Sequence, residues 1–223
     1  MKKALLALIV CALIAPAAMG QIAGTAHDLS TFTATTEVCV FCHTPHDAIT
    51  NLPRATNEFP LWNHELSVTP TFQVYDSVTM EQHPPAAGYD DFAGGDNFST
   101  ALCMSCHDGT VAVNDLRNGP GPGNVDPALT GPSPGGGVNG VTGLIDNGAA
   151  LIGADLRNDH PVNIDYATSF ATDGELVAAA GGLDLYNGRM QCATCHDPHD
   201  DTNGMFLVMS NAASALCTTC HNK

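Results

Sequence analysis

The pentapeptide Cys-x-x-Cys-His occurs four times in this chain of 223 residues and accounts for eight of its nine cysteines. The four copies, numbered sites 1 to 4 in chain order, are Cys39, Cys42 and His43; Cys103, Cys106 and His107; Cys192, Cys195 and His196; and Cys217, Cys220 and His221. This spacing is the attachment signature of c-type haem, because two thiols bond to the porphyrin and the adjacent histidine binds the iron. The pattern therefore predicts four covalently attached haem c groups.

Two other interpretations of the cysteines explain less. A disulfide framework suits an exported chain, but it gives no reason for a histidine after every second cysteine. Two Cys-x-x-Cys pairs can form a four-cysteine zinc site, yet four pairs that each carry histidine do not have zinc spacing.

Residues 1–20 resemble a secretory signal peptide. Lys2 and Lys3 precede an apolar run, and Ala18 to Gly20 form a small-residue cleavage site. The apolar run is too short for a stable transmembrane helix, and it contains Cys11, the one cysteine outside the motifs. We expect an exported protein without a transmembrane segment, either extracellular, at the cell surface or periplasmic.

The composition predicts a small side-chain core and an acidic surface. Only 6% of the residues are aromatic, and the chain has 22 glycines and 14 prolines. Haem would supply the missing apolar bulk, so we expect the haem-free chain to be largely unfolded.

The formal net charge of −16 excludes a basic nucleic-acid interface. It favours either a solvated acidic surface or an attraction for cationic partners.

The motifs are arranged as a duplicated pair. Sites 1 and 3 continue as Cys-His-x-Pro-His, whereas sites 2 and 4 are both preceded by Ala-Leu. This order predicts an N-terminal dihaem unit over residues 21–117 and a C-terminal dihaem unit over 151–223. A Gly/Pro-rich linker over 118–150 joins them, either as a flexible loop or as extended chain over haem faces. We expect 21–223 to share one haem-filled core.

Regular structure should be sparse. Glycine and proline interrupt most periodic patterns, so we expect mostly irregular coil with few short helices and little β structure, organised around four stacked haems. Ser99 and either Ser210 or Ser214 are candidate N-caps for short helices carrying sites 2 and 4. A helical turn is predicted from Asp173 to Ala180, and short β pairs around residues 71–78.

Each haem iron has a second axial position, for which histidine and methionine are the usual ligands. Six further histidines are available, of which we expect four to bind iron and two to be spare. The four expected distal ligands are His27, His46, His160 and His199, and the spare residues are His64 and His83. Met104, Met190, Met205 and Met209 lie near the motifs, and we expect them to pack against other side chains.

Chain length restricts the pairing of two of these histidines. Ligands on opposite faces of one haem have Cα atoms about 12 Å apart, allowing ~2 Å for each metal–nitrogen bond. Three residues of extended chain span only about 10–11 Å. His46 therefore cannot serve the haem of His43, nor His199 the haem of His196, and each should reach a different haem.

The motifs resemble those of multihaem cytochromes from metal-reducing bacteria. The segments AHDLS, CVFCHTPH, LWNH, LCMSCHDGTVAV, DHPV and CATCHDPH are most similar to the tetrahaem subunit of extracellular cytochrome filaments, the microbial nanowires. The resemblance covers most of the chain after residue 20 and is weakest in the Gly/Pro-rich linker.

The resemblance implies electron transfer between subunits that stack head to tail, with redox-partner cytochromes or extracellular acceptors as further partners. In some filaments of this type a distal histidine comes from the neighbouring subunit, and His27 is the candidate here.

A soluble electron shuttle with the same haems is the alternative. A multihaem reductase fits less well, because such an enzyme needs one open haem and all four motifs carry histidine, so no catalytic residues are expected.

Overall fold

The computed structural model describes residues 21–49, 61–86 and 98–222, and the predicted signal peptide lies outside them. Most of the described backbone is irregular, which confirms the expected mostly coil fold with few short helices and little β structure. The α-helices are α1 (Phe98–His107), α2 (Tyr166–Thr172), α3 (Cys192–Cys195) and α4 (Ala215–Cys220). The strands are β1 (Gln73–Val74), β2 (Asp155–Leu156), β3 (Ile164–Asp165) and β4 (Arg189–Met190). Short 3₁₀ helices cover Leu29–Phe32, Ala178–Gly182 and Ala212–Ser214.

The strands form two minimal ladders. β1 pairs with β2 in parallel, with Gln73 opposite Asp155, and β3 pairs with β4 in antiparallel, with Ile164 opposite Met190. The first ladder lies where short β structure was expected around residues 71–78. Each ladder has only two residues per strand, so neither provides an independently stable sheet.

Short helices carry sites 2 and 4, as predicted, but their N-termini are capped differently. Ser99 lies inside α1, and its hydroxyl is buried without a hydrogen-bond partner. Ser214 stands at the N-cap position of α4 without a side-chain capping bond, and its φ of +64° is left-handed. Asn211 instead accepts a hydrogen bond from the Leu216 backbone N–H at 3.2 Å. Ser99 and Ser214 were therefore wrong as caps. Ser210 accepts a hydrogen bond from Ala212 N–H at 3.2 Å, at the start of the 3₁₀ helix that precedes α4 and not at α4 itself.

The helical turn expected from Asp173 to Ala180 is displaced towards the N-terminus. α2 ends at Thr172, and Asp165 caps its start by accepting a hydrogen bond from Thr168 N–H at 2.8 Å. The 3₁₀ helix Ala178–Gly182 follows, and Gly181 and Gly182 both have positive φ. The glycines thus end a helical turn as predicted. The α-helix lies before the predicted segment, because Asp165 caps its start.

The core is divided into small clusters. The first contains Phe72, Val74, Met104 and Leu156, and the second contains Phe32, Val113, Val138 and Ile145. A third combines Tyr166, Ala180, Met190 and Cys220. Each of these three clusters contacts a motif cysteine: Cys192 packs against the first, Cys106 against the second and Cys195 against the third.

The Gly/Pro-rich segment packs against the N-terminal arm. Ala34 N–H donates to the Ala128 carbonyl at 2.8 Å, and Thr130 N–H donates to the Phe32 carbonyl at 2.9 Å. Val138 and Ile145 are buried in the same cluster as Phe32. The segment thereby covers one side of the arm, while the division into two dihaem units stays a prediction. No helix in the described ranges is long and apolar enough to cross a bilayer.

Candidate functional site

Each Cys-x-x-Cys-His motif closes a tight backbone turn. In sites 1, 3 and 4 the histidine N–H donates to the carbonyl of the first cysteine, at 2.9, 3.0 and 2.9 Å. Site 2 ends helix α1. Residues three apart on a helical turn lie on the same side, so the two thiols of a motif face one side while the histidine follows them.

Three motif histidines face a second histidine from a distant part of the chain. The ring centroids of His43 and His199 lie 6.0 Å apart, with 12° between the ring planes. His107 and His27 lie 6.2 Å apart at 67°. His221 and His160 lie 6.3 Å apart at 64°. These three pairs combine residues that the sequence predicted as proximal and distal ligands.

The separation of the pairs suits one metal ion between two imidazoles. Two metal–nitrogen bonds of about 2 Å each place roughly 4 Å between the coordinating nitrogens. The distances from the two coordinating nitrogens to their own ring centroids account for the rest of the observed centroid separation of 6.0–6.3 Å. The centroid separations of all three pairs match this value.

Hydrogen bonds orient the imidazoles of these sites. The ring atom Nδ1 lies 3.3 Å from the Pro198 carbonyl in His27 and 2.7 Å from the Ala150 carbonyl in His107. Similar bonds join Nδ1 of His160 to the Pro161 carbonyl at 3.0 Å, of His196 to the Met205 carbonyl at 2.9 Å, and of His199 to Asp197 at 3.0 Å. A carbonyl or carboxylate can only accept, so Nδ1 carries the proton and Nε2 is left to bind a metal.

Burial keeps two distal histidines in the neutral form that a ligand needs. Desolvation is the largest cause that lowers the pKa of His27, and the pKa of His160 is lowered in the same way. Their partners His107 and His221 add smaller repulsive contributions.

His64 differs from these residues in which nitrogen is engaged. Its Nε2 donates to the Ala112 carbonyl at 2.9 Å, whereas its Nδ1 is buried and has no hydrogen-bond partner among the described residues. The side chain is almost fully buried and lies 3.4 Å from the Cys106 sulfur. His64 therefore packs beside an attachment cysteine with its usual ligating nitrogen occupied.

His83 is exposed, and its Nδ1 hydrogen-bonds to the Asp76 carboxylate at 2.6 Å. Within the described ranges, neither His83 nor His64 has its ring against a motif histidine.

His46 and His196 are both exposed, and no imidazole faces either of them in the described part of the chain. His46 is held through its backbone, because its carbonyl accepts hydrogen bonds from Thr44 and Asn118. Met205, beside His196, is 75% exposed.

The position of His27 counts against the expectation that it serves a neighbouring copy, which stays a prediction. His27 lies against His107 of its own chain, because the N-terminal arm folds back onto the loop after site 3.

The attachment cysteines meet in chain order. Cys103 of site 2 hydrogen-bonds to Cys192 of site 3. The Cys42 residue is exposed, yet the protein packed around its sulfur and then nearby Cys106 raise the thiol pKa to about 12. Burial and then Cys220 raise the pKa of Cys195 to about 11. Sites 1 and 2, 2 and 3, and 3 and 4 are therefore neighbours.

A buried glutamine fixes sites 2 and 3 to one another. The Gln191 side-chain oxygen accepts hydrogen bonds from the Ser99 and Thr100 N–H groups at 2.9 and 3.2 Å. Its side-chain nitrogen donates to the Tyr186 carbonyl at 3.1 Å. Gln191 thus caps helix α1 from the residue before Cys192. The sequence analysis missed it, although its place before a Cys-x-x-Cys turn was a usable signal.

A family model described as "Doubled CXXCH motif" matches residues 186–223, which contain sites 3 and 4. No curated protein matches the chain. The match indicates a c-type-cytochrome-like multihaem protein, and Cys-x-x-Cys-His motifs imply covalently bound c-type haem.

The described residues fit this group. Thiol pairs on one side of a tight turn, engaged Nδ1 atoms and histidine pairs near 6 Å apart are the donor set that haem c requires.

Proposed function

We propose that this chain is a tetrahaem c-type cytochrome that transfers electrons along four closely spaced bis-histidine haems. The observation that carries the proposal is the set of three histidine pairs at 6.0–6.3 Å, each formed by a motif histidine and a distant histidine. Haem supplies an iron centre that takes up and releases one electron. The chain holds each haem, orients its axial ligands and keeps neighbouring sites close.

The proposal assigns a role to each candidate residue. The eight motif cysteines form the thioether bonds, and His43, His107, His196 and His221 are the proximal ligands. His199, His27 and His160 are the distal ligands of sites 1, 2 and 4, and His46 is the distal ligand of site 3.

The proposed electron path runs through sites 1, 2, 3 and 4 in order. The hydrogen bond between the thiols of sites 2 and 3, and the electrostatic influence between thiols of sites 1 and 2 and of sites 3 and 4, support this path. The exposure of the cysteines supports the two ends of this path, although Cys220 of site 4 is buried. Cys39 and Cys42 of site 1 and Cys217 of site 4 are exposed, whereas the cysteines of sites 2 and 3 are intermediate. Electrons would therefore enter and leave at the two terminal sites.

Electron transfer fits this ligation better than catalysis. A distal imidazole occupies the iron position at which a reductase binds its substrate. Histidine ligands also lack the methionine that raises the potential of small cytochromes c. We therefore propose that the protein is not an enzyme.

We further propose that the chain is the repeating subunit of an extracellular filament, in which His46 of one copy completes site 3 of the next. His46 and His196 are the two exposed candidate ligands left over from the three pairs. Met205 and Val208, which are 75% and 39% exposed, offer apolar surface beside site 3 for a second copy to cover. A contact of this head-to-tail kind does not close and so builds a filament.

A soluble periplasmic or extracellular shuttle is the second candidate. The net charge of −16 favours it, because the same acidic surface on every copy makes copies repel one another at low salt. Both candidates place the protein outside the cytoplasm, where c-type haem is typically attached.

Electron microscopy of the native haem-loaded protein, combined with the variants His46→Ala and His83→Ala, tests the proposal. Mass spectrometry should first show four haems on the chain. We expect filaments from the wild type and from His83→Ala, and single subunits with one open haem from His46→Ala. Single particles of the wild type with four closed haems would favour the shuttle, with His46 serving site 3 of its own chain.

A further inference from the structure

Phe206 lies flat against the imidazole of His27. The two ring centroids are 4.2 Å apart, and the ring planes differ by 18°. This is closer than the 6.2 Å between His27 and His107, so Phe206 is the nearer aromatic neighbour of the two. A second contact comes from the same loop, since Nδ1 of His27 lies 3.3 Å from the Pro198 carbonyl. One contact sets the plane of the ring and the other sets its rotation within that plane.

The backbone that presents Phe206 is in an unfavourable conformation. Met205 and Phe206 have φ values of +52° and +57°, a left-handed region that non-glycine residues seldom adopt. Two hydrogen bonds hold the turn. Phe206 N–H donates to the Asp201 carboxylate at 2.9 Å, and Asp197 N–H donates to the Phe206 carbonyl at 2.7 Å. Strain of this kind persists where surrounding contacts enforce it, and it is concentrated at functional positions.

The orientation of His27 distinguishes site 2 from site 1. His27 and His107 cross at 67°, whereas His43 and His199 are within 12° of parallel. An axial imidazole donates π electrons into the iron d orbital perpendicular to its ring. Parallel rings therefore act on one orbital, and crossed rings act on two. The spacing of the iron d levels, and with it the electron paramagnetic resonance spectrum of the ferric form, depends on this angle.

We infer that Phe206 is a positioning residue that holds His27 crossed to His107, and that it thereby gives site 2 electronic properties distinct from those of site 1. The inference rests on the proposed function, because it takes His27 and His107 as the ligands of one haem. The loop between sites 3 and 4 thus controls the ligand geometry of site 2.

Electron paramagnetic resonance of the oxidised holoprotein tests the inference. The wild type should show a rhombic signal from site 1 and large-g signals from the crossed sites 2 and 4. Phe206→Leu removes the flat ring, so the site 2 share of the large-g signal should shift or disappear while that of site 4 remains. Phe206→Tyr keeps the ring and should keep the signal. Phe170→Leu, at an exposed aromatic residue of α2, is the matched control and should leave the spectrum unchanged.

Two further variants separate the possible failures. Asp201→Ala releases the Phe206 turn without changing the ring and should shift the same signal, so it decides the question if Phe206→Leu loses haem. His27→Ala should open one haem to carbon monoxide. If His27→Ala opens no haem, the ligand assignment of the proposed function is wrong. If His27→Ala behaves as expected but Phe206→Leu or Asp201→Ala retains the wild-type signal with full haem content, the positioning role is wrong and the proposed function stands.

Discussion

The side-chain oxygen of Gln191 accepts a hydrogen bond from the Ser99 backbone N–H at 2.9 Å, which joins the residue before site 3 to the helix that carries site 2. Both residues are buried. The first N–H groups of a helix have no partner within that helix, so Gln191 satisfies donors that would otherwise be buried and unpaired. This contact fixes two attachment sites without using either haem.

Replacing Gln191 should destabilise the protein. Gln191→Leu leaves the Ser99 and Thr100 N–H groups without their acceptor, and buried unsatisfied donors cost about 1–3 kcal/mol each. We expect a loss of about 2–6 kcal/mol in the free energy of unfolding, measured by guanidinium denaturation of the holoprotein. Gln21→Leu, at an exposed glutamine, should have little effect. Equal stability of the two variants would contradict the capping role.

His160→Ala should open site 4 to an external ligand. His160 is the imidazole opposite His221, 6.3 Å away, and its removal vacates the position next to the proposed iron. We expect the reduced variant to bind carbon monoxide at one of its haems, measured from the visible absorption spectrum. His83→Ala removes an exposed histidine with an Asp76 partner and should bind none, like the wild type. Carbon monoxide binding by the wild type would instead indicate an open haem.

His64 should make stability fall at acidic pH. Burial lowers the pKa of His64 below its usual value of 6.5. As pH falls below about 6.5, the unfolded chain gains a proton that the folded chain does not, so the free energy of unfolding decreases. The decrease is about 1.4 kcal/mol per pH unit until the folded pKa is reached.

The measurement for His64 is the difference between wild type and His64→Gln at several pH values, since other histidines contribute equally to both proteins. We expect the difference to shrink as pH falls from 7 towards 5. A difference that is constant with pH would show that His64 does not titrate in this way.

Alanine substitutions at two adjacent glycines distinguish a steric clash from backbone strain. Gly181 has φ +62°, and a Cβ there would lie 2.2 Å from the Thr219 carbonyl oxygen inside site 4. Gly182 has φ +94°, but a Cβ there would meet nothing within 4 Å. Gly182→Ala therefore adds strain alone, of about 1–2 kcal/mol.

Gly181→Ala adds the clash to a similar strain. We expect it to lower the free energy of unfolding by more than Gly182→Ala and to reduce haem attachment at site 4. Thermal denaturation and mass spectrometry of tryptic haem peptides measure the two effects. Full haem content and equal stability in both alanine variants would contradict the contact with Thr219.

The sequence was sufficient to predict the scarcity of regular structure, because glycine and proline limit helices and strands locally. It also identified every histidine that the structure places in the three pairs. It could not pair them, apart from excluding His46 with His43 and His199 with His196, since the pairs join segments far apart in the chain.

The contribution of Phe206 was beyond sequence reasoning for a similar reason. Phe206 acts through a stacked contact with His27, and its left-handed backbone conformation has no signature in the residue type. The sequence pattern predicted the start of helix α2 too far along the chain, because Asp165, and not Asp173, provides the N-cap.

The pairing of His43 with His199 also determines the order in which the protein can mature. Site 1 is complete in sequence once residue 43 has been synthesised, but its partner imidazole lies near the other end of the described chain. Haem can therefore be bonded to Cys39 and Cys42 well before its second axial ligand arrives. On the proposed function, site 1 would lack its second axial ligand during that interval.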